Sequence, residues 1–240
     1  MLCRLFRQPL HHSGRTIPVR PVKLMDGAMG TSDEGETMTE TRELTLADIA
    51  DQRAYERERD EFRREVIAVK KVRRVTVGPV ITLTFESRLT MRFQIQEMAR
   101  AEKMVSDEQI QHELDVYNRL LPAPGELSAT LFLELTSEAE LRNWLRELVG
   151  VERSAELHIG LGELMQVVPS SPEADHDSLL TREEATAAVH YVRFRLTPAQ
   201  VEAFVQGPVS LAINHPHYPD GMPGVVLSDA TRAELSADVS

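Results

Sequence analysis

The sequence predicts an α+β fold: a long N-terminal helix and a helix-rich first half packed with a mainly antiparallel, sheet-rich second half. Three features predict it. Apolar residues recur at helical spacing through much of residues 43–148, and from Glu152 onward they mostly alternate with polar ones at the strand period of two. Helix-start signals, a small polar residue followed three positions on by an acid or amide, precede several of the helical runs. Only 5% of the 240 residues are aromatic against 42% hydrophobic, so the core must be aliphatic, with enough chain for one sizeable domain.

The first patterned segment begins near Glu43. Thr45, with Asp48 three residues on, predicts the start of one long helix, in which Tyr55, Phe62, Val66 and Val69 share a face. Its end carries "KKVRR" at 70–74, where cations complement the negative helix terminus. "RVTVGPVITLTFES" and "LTMRFQI" alternate and predict two strands joined at "ESRL", with Gly78-Pro79 marking a bulge or edge position. "QEMARAEKMV" predicts a helix. A second follows from Ser106, with Gln109 completing its cap, and Pro122 stops it. "ELSATLFLEL" predicts a strand, and "SEAELRNWLRELVG" a helix with Leu141, Trp144, Leu145 and Leu148 on its apolar face. Beyond it, "AELHIG", "ELMQVV", "AAVHYVRFRL" and "VSLAINH" predict strands, "SPEADHDS" a loop, "TPAQVEAFVQ" a helix with Pro198 at its first position, and "SDATRAELSAD" a final helix. Residues 43–240 thus read as a single domain.

Residues 1–42 read as a disordered leader. Through Leu24 they hold five Arg or Lys and no acid, with no helical or strand period, and a Gly-, Ser-, Thr- and acid-rich stretch follows. Met25, Met29 and Met38 all precede the first patterned segment, as an over-extended start would place them.

Composition excludes several classes. No apolar run approaches the ~20 residues of a membrane-spanning helix. A net charge of −11 opposes binding to phosphate backbones. Cys3 is the single cysteine, so no cysteine-ligated cluster or disulfide framework can be built within this chain. Such usage suits a reducing, cytoplasmic setting. Among motifs, "GLGELM" at 160–165 lacks the third glycine of a dinucleotide fingerprint and predicts a hairpin turn.

Residues 93–122, "FQIQEMARAEKMVSDEQIQHELDVYNRLLP", concentrate the side chains from which chemistry is built. On the second helix Ile110, Leu114, Tyr117 and Leu121 form a buried stripe with Glu113 at its margin. A carboxylate there needs a partner, such as Arg100. His112 points away from the stripe. Glu108, His112 and Asp115 can converge as metal ligands, and a solvated face is the simpler reading. His190 shares a strand face with Val192, Phe194 and Leu196, which predicts a buried, hydrogen-bonded histidine. His215 and His217 could clip a metal, although a strand-end turn explains them more simply.

These segments resemble a bacterial family known as a domain of unknown function. The resemblance rests on "F-Q-I-Q-E-M-x-R-x-E" at Phe93–Glu102, on "I-Q-H-E-x-x-x-Y-N-x-L-x-P-x-x-G-E-L" at Ile110–Leu127, on "L-R-E-L-V-G" at 145–150 and on "H-P-x-Y" at 215–218. It covers residues 43–239 and brings no established activity. Genes of the family commonly lie beside those of rubrerythrin-like di-iron proteins and heterodisulfide-reductase-like iron–sulfur proteins, which implies a partner among redox proteins. Carried over by position, the family residues are Gln94, Gln96, Glu97, Arg100, Glu102, His112, Glu113, Tyr117, Asn118 and Glu126.

Three functions follow as expectations. The first is a non-catalytic accessory or interaction protein of an iron–sulfur or di-iron redox or peroxide-defence system. The second is a metal-binding enzyme or metal carrier using Glu97, Glu102, His112 and Glu113, whose side chains would then converge. The third is a small-anion binding module gripping its ligand with Arg100 and Gln96. For the motif to act as a site, Glu97, Arg100 and Glu102 must meet Glu113, Tyr117 and Asn118 across the helix pair.

Overall fold

The computed structural model describes residues 42–134, 137–173, 185–218 and 224–240, apart from the side chains of Glu138 and Leu141. The leader through Thr41, most of the "SPEADHDS" loop and the Leu141 part of the predicted helix face lie outside the described residues.

The Thr45–Asp48 pair does form, with Thr45 N donating to Asp48 Oδ2 at 2.8 Å, but it closes only one 3₁₀ turn, Leu46–Asp48. The long helix α1 (Gln52–Arg73) starts afresh, capped by Asp51, whose carboxylate accepts from Arg53 N and Ala54 N. The break lies where the Gln96 side chain holds both backbone groups of Ala50 away from helical bonding. Tyr55, Phe62 and Val66 are buried on one face of α1, and Phe62 meets Tyr55 and Phe93 edge-on.

The single strand expected over "RVTVGPVITLTFES" is instead two, β1 (Arg74–Val77) and β2 (Ile81–Phe85), and Gly78-Pro79 marks no bulge but the hairpin turn between them, with Gly78 left-handed at φ +65°. The predicted "LTMRFQI" strand is instead the first half of helix α2 (Arg88–Glu102), so the "QEMARAEKMV" helix starts a full turn or more earlier than its sequence pattern showed. Ser87 and Thr90 cap each other's backbone there. Met91, Gln94, Ile95 and Ala99 are buried at helical spacing, a pattern that a short alternating run mimics. Helix α3 (Asp107–Tyr117) is capped by Ser106 as predicted and leads through a 3₁₀ turn to Leu121 and Pro122.

Strand β3 (Glu126–Leu133), helix α4 (Glu138–Glu147), strands β4 (Ala155–Ile159) and β6 (Val189–Arg195), helix α5 (Pro198–Gln206), strand β7 (Val209–Ile213) and helix α6 (Asp229–Val239) match predicted segments, whereas β5 (Gln166–Pro172) starts three residues later than "ELMQVV" and runs into the start of the expected "SPEADHDS" loop. "GLGELM" makes the β4–β5 turn, with Gly160 and Gly162 at positive φ. The two-residue strand β8 (Val225–Val226) is too short to show a period in the sequence.

All eight strands join one antiparallel sheet in the order β1-β2-β3-β6-β5-β4-β7-β8, so the two halves of the chain share it. The sheet curls until β1 approaches β7 and β8, nearly a barrel. Its inner face carries the main core: Val75, Leu83 and Leu131 stand opposite one another across β1–β3, and Ala129, Val192, Phe194, Leu157 and Leu211 continue it. Opposite Leu131 stands His190, buried as predicted, with Nε2 2.7 Å from Thr186 Oγ1 and 2.9 Å from the Ala187 carbonyl. On the outer face of β1-β2-β3-β6 lie α2 and α3 with α1 against α2; Met91 and Ile95 of α2, Leu114 and Tyr117 of α3 and Leu120 of the turn after it pack with Tyr191. Among the described residues no helix is long and apolar enough to cross a membrane.

Candidate functional site

The motif-bearing helices hold down what precedes them in the chain. Residues 42–51 run across α2 and α3 as a strap. Asn118, at the end of α3, accepts from Leu44 N and donates to Leu44 O, both at 2.8 Å. Gln96 does the same for Ala50, accepting at 2.7 Å and donating at 3.2 Å. A primary amide matches the spacing of one residue's N–H and C=O, so each side chain replaces a missing strand partner. Arg92 Nε donates to Asp48 O, and Arg88 pairs with the Asp48 carboxylate at 2.6 Å. Leu44 is thereby buried among Leu114, Tyr117 and Leu120.

Glu97 and Arg100 face α1 rather than α3. Arg59 donates to both oxygens of Glu97, Nε at 2.7 Å and one terminal nitrogen at 2.9 Å, and Tyr55 Oη donates at 2.8 Å. Burial pushes the Glu97 carboxyl up, but the Arg59 and Tyr55 hydrogen bonds and the charges of Arg59 and Arg100 outweigh it and hold the pKa below its usual value. Arg100 Nε donates to Glu56 at 2.6 Å, an exposed pair. It is therefore not the counter-charge of Glu113.

On α3, Glu113 is half-buried with no hydrogen bond or ion pair among the described residues. Burial raises its pKa, with Glu102 adding to the rise and His112 opposing it. One turn on, Tyr117 is buried with its hydroxyl lacking a well-aligned hydrogen bond. Burial drives its pKa up to about 12; the nearby Gln94 amide opposes the rise, and the carboxylates of Glu113 and Glu86 add to it. Glu102, Glu108, His112 and Asp115 are exposed, and Asp115 accepts from Gln111 within its own helix.

The structure thus brings Glu102 within electrostatic reach of Glu113 and Gln94 beside Tyr117, but Glu97 and Arg100 turn to α1 and Asn118 to the strap, so the two halves of the motif do not close into a site. Among the described residues no three His, Cys, Asp or Glu side chains are grouped to hold a metal ion. From the expected set, Glu97 is withdrawn by Arg59 and Tyr55. An anion grip by Arg100 and Gln96 does not form either: Gln96 is engaged at both ends of its amide, and Arg100 by Glu56. A shallow cleft lies elsewhere, lined by Arg42, Arg88, Leu121, Pro122, Ala237 and Asp238. Glu126, the last motif residue, accepts from Arg193 at 2.9 Å and Arg195 at 2.8 Å across the β3–β6 pair.

The late "H-P-x-Y" motif is structural as well. Tyr218 Oη donates to Val77 O at 2.6 Å, and a Cβ on Gly78 would stand 2.5 Å from the Tyr218 hydroxyl, so glycine is needed for both φ and space. His215 Nδ1 accepts from His217 N, which leaves the proton on Nε2 to donate to Val149 O at 3.0 Å. Both ring nitrogens of His215 are taken, and His217 pairs with Glu147, so the two-histidine clip does not form.

Three buried polar groups escaped the sequence reading. Glu86, 2% exposed, accepts from Thr90 and Thr130 between the sheet and α2. Arg73, the last residue of α1, is 3% exposed and reaches Asp238 with two bonds, Glu234 with one and the Glu86 carbonyl with a fourth. Glu152 is buried inside the sheet, with Oε2 unbonded and 3.9 Å from His190 Nδ1. Only "ESRLT" offered a hint, since an acid just before a Ser-x-x-Thr cap sits where a helix begins against a strand.

A curled antiparallel sheet with helices over one outer face, whose distinctive polar residues tie layer to layer, defines a helix-backed α+β scaffold. The chain belongs to the family described as protein of unknown function (DUF3501), which matches residues 43–239. It is similar to the crystal structure of a novel protein of unknown function from Burkholderia pseudomallei K96243, with a TM-score of 0.74 and 34% identity over 82% of this chain and 99% of that one. No curated protein matches it.

Proposed function

We propose that the protein is a non-catalytic cytoplasmic accessory, an interaction protein serving an iron–sulfur or di-iron redox or peroxide-defence system. The observation that carries the non-catalytic part is the engagement of the motif: Gln96, Glu97, Arg100, Asn118 and Glu126 all bond to this chain's own backbone or charges. Side chains so committed are poor candidates to hold substrate or metal. The redox partner is inferred from the gene association of the family the chain resembles, and from the single cysteine, which leaves cluster chemistry to another protein. Affinity capture from the native cell under reducing, anaerobic conditions tests the reading. Recovery of an iron–sulfur or di-iron protein in stoichiometric amounts supports it, and recovery of no redox protein contradicts it.

A further inference from the structure

The β4–β5 turn presents Leu161 and Leu164 at 74% and 85% exposure, with Met165 at 43%. The sheet continues this surface. Val167 stands opposite His158, His158 opposite Ser210, and Ser210 opposite Val226, so these four side chains form one row across the outer face of β5-β4-β7-β8. At about 4.8 Å per strand the row is roughly 14 Å wide. Its two ends, Val167 and Val226, are 44% and 67% exposed, and Pro169 beside Val167 is exposed too. Scattered exposed valines and leucines are ordinary, whereas five on one turn and one sheet face mark a contact surface.

Within the turn and these four strands the charge is one-sided; the cations that flank them on β6, Arg193 and Arg195, are held by Glu126, and Arg195 also reaches Ser171 at the edge of β5. Residues 154–173, 207–218 and 224–228 contain Glu156, Glu163 and Glu173 but no Lys or Arg, in a chain that has 27 of them. Glu156 is engaged by His158 and Asn214, each at 2.9 Å, which leaves the exposed Glu163 at the tip between Leu161 and Leu164. The tip is also pre-shaped: Gly160 N donates to Pro208 O, and Met165 N to Gly162 O. A partner therefore pays little ordering entropy to meet it.

We propose that this turn and the outer face of β5-β4-β7-β8 form the docking surface for a partner protein whose contact patch is apolar at its centre and basic at its rim. A second copy of the chain would set Glu163 against the same acidic turn, and an anionic membrane would repel it. The proposal rests on the accessory reading only in supposing that a partner exists.

Photo-crosslinking in the native cell tests it, with Leu164→p-benzoylphenylalanine as the probe and Glu65→p-benzoylphenylalanine on α1 as the control. The expected result is an adduct at 164, absent at 65, whose crosslinked peptide from another protein carries apolar residues flanked by Lys or Arg. That protein, purified, then binds Leu164→Glu roughly tenfold or more weakly than wild type, and Glu163→Lys more weakly as well. The melting temperature of Leu164→Glu stays at the wild-type value, which separates lost binding from lost folding. An adduct with this chain, with lipid or with an acidic peptide, the absence of an adduct, or undiminished binding to Leu164→Glu overturns the proposal. If the captured protein is not a redox protein, the accessory-to-redox reading falls while the docking surface stands. If a redox protein recovered by affinity capture binds Leu164→Glu unchanged, the surface falls and that reading stands.

Discussion

On its β1-β2-β3-β6 half the sheet turns Thr84, Thr130 and Tyr191 outward, and α2 and α3 bury all three. On its β5-β4-β7-β8 half it turns out Val167, His158, Ser210 and Val226, and the two valines stand open. The half whose outward row is Thr84, Thr130 and Tyr191 is thus the covered one, and the row that ends in a valine on either side is bare at both ends. Burial of Thr130 is tolerated because Glu86 accepts from it, as it does from Thr90 of α2, and buried polar groups that bond one another fix how layers sit. Glu97, Gln96 and Asn118 repeat that role one layer further out. On the bare half His158 is tied to Glu156, but the open Val167 and Val226 side chains hold no layer in place, which leaves them available to a partner.

The comparison breaks first if the covered half is not held by its polar residues. Arg73→Ala leaves Asp238 and Glu234 without their cation and strips a bond from the Glu86 carbonyl. It should cost about 3–5 kcal/mol in denaturant unfolding, whereas a loss under about 1 kcal/mol would show that the network is incidental. Next in size is Gly78→Ala, which forces a Cβ against Tyr218 at positive φ and should cost about 1–3 kcal/mol by the same measurement.

The pH dependence sharpens the contrast within the covered half. The pKa of Glu97 is lowered by folding, so its stabilising contribution is complete above the ordinary carboxylate range and is lost as pH falls through the folded value. Glu97→Gln should therefore destabilise at neutral pH and converge with wild type in acid. The pKa of Glu113 is raised, so its ionisation costs stability as pH climbs past the ordinary range. Glu113→Gln should raise the melting temperature at neutral pH and leave it unchanged in acid. Melting curves of both variants against pH check the pair, and parallel shifts of the same sign would refute it. The smallest effect belongs to the bare half: Leu164→Glu should change stability by less than about 0.5 kcal/mol.

Much of the architecture was legible in the sequence, because capping pairs and periodicity are local. Ser106 with Gln109 and Thr197 with Pro198 placed their helix starts correctly. "LTMRFQI" misled because seven residues with apolar side chains at positions one, three, five and seven fit a strand, while the cap that decides the matter, Ser87–Thr90, lies partly inside the run. Thr45–Asp48 misled in the opposite sense: the cap is real, but Gln96, 46 residues away from Ala50, ends its helix after one turn. The candidate site was legible as a set of residues but not as a geometry. Sequence pattern places Glu97 and Glu113 on neighbouring helices, yet only the packing of α1 on α2 shows that Arg59 and Tyr55 claim Glu97. Glu86 and Arg73 were invisible for the same reason, since the partners of Arg73 on α6 lie 161 and 165 residues along the chain.

Amide hydrogen exchange at Leu44 and Ala50 tests most directly whether the motif is a clamp. Their N–H groups donate to Asn118 Oδ1 and Gln96 Oε1. Asn118→Ala should accelerate exchange at Leu44, and Gln96→Ala at Ala50, each by roughly tenfold or more, while the amides of β3 and β6 stay protected. Unchanged exchange at both positions, in variants that have instead lost a bound metal or ligand present in the wild-type protein, would contradict the clamp and return the motif to chemistry.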